Sequence, residues 1–106
     1  MAAREGRVVL MTDDKLHDAI VRGSQAAALL NSELLKESLA TLERDYTEAW
    51  KTTPARDTDA RERLWQAVNV VGKVRDHLVI VLNDGKLAQR QVDEMVKVQE
   101  QTRGKK

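Results

Sequence analysis

The sequence predicts an all-α protein built around an antiparallel two-helix hairpin, and three observations point there. Leu35, Leu39, Leu42, Tyr46, Ala49 and Thr53 follow a 4-3-4-3-4 spacing, the one-sided stripe of a helix that packs against another. A second stripe, Leu64, Val68, Val71, Arg75, Leu78 and Leu82, lies further along the chain. Between the two stands the single proline, within Thr52-Thr53-Pro54-Ala55-Arg56-Asp57-Thr58-Asp59, a connection of the length that joins antiparallel helices. The predicted arms are about 32–53 and 58–84.

Composition agrees with this class. In 106 residues there is room for one domain, with a third of the residues charged, no Phe and only Tyr46, Trp50 and Trp65 as aromatics. Such a chain favours helices over sheets and leaves little material for an active-site cleft. The lack of cysteine rules out a disulfide framework and a thiolate zinc site. Val8–Met11 is too short for the apolar part of a secretion signal, and Leu78–Leu82 falls far below the roughly 20 residues of a membrane span. The expected setting is therefore the cytoplasm or a virion, without membrane association.

Taken in order, residues 1–11 lack periodicity and are expected to form a flexible tail. Thr12 has the chemistry of an N-cap, with Asp13 and Asp14 suited to the positive end of the helix dipole, and Met11 and Leu16 have the spacing of a hydrophobic staple. An N-terminal helical segment over 12–31 follows, carrying Leu16, Ala19 and Ile20 on one face. It is expected to break or kink at Gly23-Ser24, where Ser24 can cap Gln25–Leu30. Ser32 can cap the first hairpin arm, and Pro54 ends it. Asp57, Thr58 or Asp59 can cap the second arm, which Asn83-Asp84-Gly85 is expected to stop, with Gly85 left-handed. A C-terminal helix over 86–102 then carries Leu87, Ala88, Val92, Met95, Val96 and Gln99, and 103–106 is a basic tail.

Folding the chain at Pro54 sets a register. Tyr46 and Trp50 should approach Trp65, Leu42 should approach Val68, and Leu39 should approach Val71. In Leu78-Val79-Ile80-Val81-Leu82 every side of the helix is apolar, so that stretch needs cover on two faces. Residues 25–30 can supply one, and the last helix or another copy the other. Leu78, Val79, Ile80, Leu82, Val92, Met95 and Val96 are accordingly the candidate protein interface.

Other constellations have spacings that could carry chemistry. Asp13, Asp14, His17 and Asp18 sit at i, i+3 and i+4, a spacing that can grip a divalent metal, but no second His completes a site, and a solvated acidic helix start is the preferred reading. Asp76 and His77 are adjacent and so point about 100° apart, which favours an exposed or structurally bonded His77 over a catalytic base. Arg75 can carry its charged head to the edge of the core or pair with Glu33 or Glu37 across the hairpin, and the pair is the preferred reading. Trp50 and Trp65, near Arg56, Arg61 and Arg63, could stack bases, although closing the loop end of the core is the preferred role. Lys97, Arg103, Lys105 and Lys106 are the candidate phosphate contacts. No residue set suggests catalysis, a cofactor or a small-molecule substrate.

Charge is uneven along the chain. Residues 12–53 hold five bases and eight acids, and residues 86–106 hold six bases and three acids, within a net charge of +1. Complementary packing between segments or copies fits that asymmetry better than a nucleic-acid footprint does.

Three stretches carry a family resemblance: Arg22–Leu30, Glu48–Asp57 with Glu62-Arg63-Leu64-Trp65, and Lys73–Leu78 with Gly85-Lys86-Leu87-Ala88. Together they resemble small uncharacterised helical proteins of tailed phages and prophages of proteobacteria, over about two thirds of the chain. The resemblance implies a phage setting, in particle assembly or DNA packaging, and carries over no functional residue. The expected function is that of a non-enzymatic, self-associating helical protein, partnered by its own copies or other phage proteins. A small terminase-like packaging subunit and an inhibitor or adaptor that binds a host protein are the alternatives.

Overall fold

The computed structural model describes residues 12–104, and these are all-α: helix α1 spans Asp13–Leu30, α2 Glu33–Thr52 and α3 Thr58–Gly104. The expected tail over 1–11, the Met11–Leu16 staple and the basic residues Lys105 and Lys106 lie outside the described residues.

Local chemistry accounts for most helix ends. Thr12 Oγ1 accepts from the Lys15 N–H at 3.2 Å, with Asp13 and Asp14 in the first turn of α1, as an N-cap should. Ser32 does the same for α2, its Oγ accepting from the Leu35 N–H at 3.2 Å while its own backbone is extended. For α3 the three possible caps resolve to Asp57, whose Oδ1 accepts from the Ala60 N–H at 3.2 Å. The last carbonyls of α2, which have no partner within the helix, are occupied from several sides. Thr53 Oγ1 donates to the Ala49 carbonyl at 2.7 Å, and Arg61 Nη1 donates to the carbonyls of Trp50 at 3.2 Å and Thr53 at 3.0 Å.

Two expected interruptions are corrected. α1 runs through Gly23-Ser24 without a break, so Ser24 caps nothing. α3 runs through Asn83-Asp84-Gly85, so the second arm does not stop at 84 and 86–102 is not a separate helix. Among the described residues no glycine has positive φ, and the left-handed stop at Gly85 does not form. The physical reason lies in what faces Gly85. A Cβ placed there would fall 2.8 Å from the Gly23 Cα and 2.9 Å from the Ala19 carbonyl oxygen. Gly85 thus serves the approach of α1 to α3, a use of glycine distinct from the helix-ending one.

The chain divides into two compact units, Met1–Ala26 with Val81–Lys106, and Ala27–Ile80. In the first, Gly23 and Gly85 are buried at their contact, and Leu16, Ala26 and Ala88 are buried with them. In the second, Leu39 and Val71 are the buried apolar residues. Among the described residues no other hydrophobic side chain is buried, so each unit has a thin core.

Candidate interaction surfaces

Thin cores leave apolar side chains at the surface, and in the first unit these converge. Leu16 and Ile20 of α1 and Val92, Met95 and Val96 of α3 line a cleft of about 420 Å³. Its floor is formed by the buried Leu16, with Ile20 and Val92 half-buried. Met95 and Val96 remain 45% exposed each. Asp13, His17, Gln89 and Gln99 complete the lining. Three of the expected interface residues therefore meet at one site, together with Leu16 and Ile20. The sequence signal for those two is the apolar face of α1, whose pairing with Val92 no local spacing indicates. Leu82, also in this unit, is half-buried and lies outside the cleft lining.

In the second unit Leu78 is half-buried, while Val79 is 39% and Ile80 56% exposed. Val70 and Val74, three and seven positions beyond Ala67 and so on one helical face, are exposed as well. At the α2–α3 connection, Trp50, Ala55, Thr58, Arg61, Glu62 and Trp65 line a cleft of about 390 Å³. The Arg61 guanidinium lies 4.3 Å from the Trp50 ring centroid, a cation–π contact. Its hydrogen bonds hold it to the end of α2, so its charge is already engaged by helix carbonyls. Trp65 is 56% exposed and does not close the core as its bulk suggested. The role of Arg61 was missed in the sequence, where it read as one of three arginines near the tryptophans.

The remaining candidates separate. Asp13, Asp14, His17 and Asp18 are all exposed, and among the described residues no group of three His, Cys, Asp or Glu side chains is placed to hold a metal ion. Asp76 and His77 are exposed. The expected Arg75 pair is corrected: Glu33 bonds Lys36 at 3.5 Å on its own helix, and among the described residues Arg75 makes no ion pair. Its half-buried side chain lines a cavity of about 220 Å³ with Leu29, Leu30, Leu35, Lys36 and Leu39, its stem lying along apolar surface as a long basic side chain can. Lys97 and Arg103 are exposed.

Among the described residues no helix is long and apolar enough to cross a membrane. No protein-family model, curated protein or solved structure gives a match to the chain.

Proposed function

We propose that this chain is a non-enzymatic helical protein that associates with copies of itself, as a building element of a larger assembly. The observation that carries the reading is the surface that the thin cores leave uncovered. Among the described residues five hydrophobic side chains are buried, whereas thirteen large ones are exposed, and contiguous surface of that kind marks contact with a partner.

Part of that surface is apolar and comes from the expected contact residues. Val79, Ile80, Met95 and Val96 are exposed, and Leu78, Leu82 and Val92 are half-buried beside them in sequence. The resemblance to small phage and prophage helical proteins is the ground for reading the assembly as a virion or assembly component.

The rigid element of this reading is an antiparallel hairpin within the second unit, with Leu35, Leu39, Leu42 and Tyr46 opposite Val74, Val71, Val68 and Trp65. Three features support that register. Leu39 and Val71 are its two buried residues, Trp50 and Trp65 line one cleft, and Leu35 and Leu39 share a cavity with Arg75.

The test is the mass of the purified full chain in solution, by sedimentation equilibrium or light scattering at micromolar concentration. The expected result is a multiple of 12.0 kDa. A mass of one chain across that range would remove the reading.

A further inference from the structure

We infer that the cavity of about 220 Å³ in the second unit binds a short-chain aliphatic carboxylate, with Arg75 holding its head and leucines enclosing its tail. The lining is Leu29, Leu30, Leu35, Lys36, Leu39 and Arg75, all of them in that unit. Leu29 and Leu30 end α1, Leu35, Lys36 and Leu39 belong to the first half of α2, and Arg75 comes from α3. The site is therefore complete within one unit of one chain and does not depend on a second copy.

The charge of the lining selects the ligand. It holds two bases and no acid, whereas Glu62, the pair Asp93 and Glu94, and Asp13 each stand in the lining of another cleft. Lys36 is already engaged by Glu33 in an exposed pair at 3.5 Å. Arg75 is half-buried and makes no ion pair among the described residues. None of its nitrogens is sealed off without a partner, so its donors stay open to an incoming group. A guanidinium that has lost part of its hydration and found no counter-charge favours an anion beside it, and its planar fork matches a carboxylate through two parallel hydrogen bonds. One uncommitted cation suits the single charge of a carboxylate better than the nearly double charge of a phosphate ester. Size sets the tail. A water takes about 30 Å³ of liquid volume and a methylene about the same, so the cavity holds on the order of seven such groups. Hexanoate has that size, and four leucines give its chain apolar walls.

The experiment titrates hexanoate into the full chain at neutral pH and follows the leucine methyl signals by NMR, with butanoate, 1-hexanol and hexylammonium as comparison probes. Hexanoate should shift the methyls of Leu29, Leu30, Leu35 and Leu39 saturably, with a Kd on the order of a millimolar. Butanoate should bind about fifteen-fold more weakly, each buried methylene being worth about fourfold. 1-Hexanol and hexylammonium, which lack the negative charge, should each bind about tenfold more weakly or worse. In Arg75→Met, which keeps an apolar stem, hexanoate should lose its advantage over 1-hexanol while circular dichroism shows unchanged helicity. Should that variant lose helicity, Leu29→Asp decides: Leu29 is 47% exposed, and an acid in the lining should weaken hexanoate about tenfold. The inference is overturned if hexanoate gives no saturable shift, if 1-hexanol binds as well as hexanoate, or if the deciding variant keeps the parent's affinity.

Discussion

In the first unit α1 and α3 meet backbone to backbone at Gly23 and Gly85, whereas the second unit relies on side chains, with Leu39 and Val71 buried and Arg61 fastened to the end of α2. The two modes tolerate change differently. A side-chain core gives way by degrees, since a smaller residue loses contacts in proportion to what is removed. A glycine contact has no such latitude, because the first atom added at either position meets main chain, which cannot rotate aside. Gly72 of α3 makes no such contact: a Cβ there would meet nothing within 4 Å.

That comparison can be broken at three positions. The largest effect belongs to Gly85→Val, whose Cβ would fall within 3 Å of the Gly23 Cα and the Ala19 carbonyl. Forced separation of α1 and α3 should cost about 3 kcal/mol, the upper part of the usual range for overpacking, read as a fall in the urea midpoint. An unchanged midpoint would mean that the helices do not touch there. Next comes Arg61→Ala, which removes two hydrogen bonds to helix carbonyls and the contact with Trp50. For a half-buried group, a loss of about 1–2 kcal/mol is expected, together with a change in tryptophan fluorescence. The smallest effect is of opposite sign. Gly72→Ala should stabilise by about 0.5–1 kcal/mol, because alanine restricts the unfolded chain and suits a helix interior. Opposite signs at Gly72 and Gly85, two glycines of one helix, would separate conformational preference from packing.

Much of the helical layout was legible because caps and breakers act locally. Thr12, Ser32, Asp57 and Pro54 stand within three residues of the groups they organise, so their spacing alone identifies them. Gly85 was misread because Asn-Asp-Gly is the same signal whether glycine ends a helix or admits a neighbour. The distinguishing feature is long-range: Ala19, Gly23 and Ala26 repeat the 4-3 spacing of Val81, Gly85 and Ala88, matched runs that fit a close crossing. Arg75 was assigned an ion pair from its level in the hairpin, but Glu33 reaches Lys36 within one turn of its own helix, and neither side chain need cross to another. The cleft of the first unit was only half legible. Val92, Met95 and Val96 stand out by their apolar stripe, while Leu16 and Ile20 join them through chain reversal, which no local pattern encodes.

The measurement that bears most directly on the account is the sedimentation-equilibrium mass of the full chain, taken over a wide concentration range at moderate salt. Salt screens contacts between charges and leaves apolar burial intact, so association through apolar surface should persist as salt is raised. A mass that is a multiple of 12.0 kDa and insensitive to salt is the predicted result. A mass of 12.0 kDa throughout would contradict it, and the exposed apolar faces would then need another explanation.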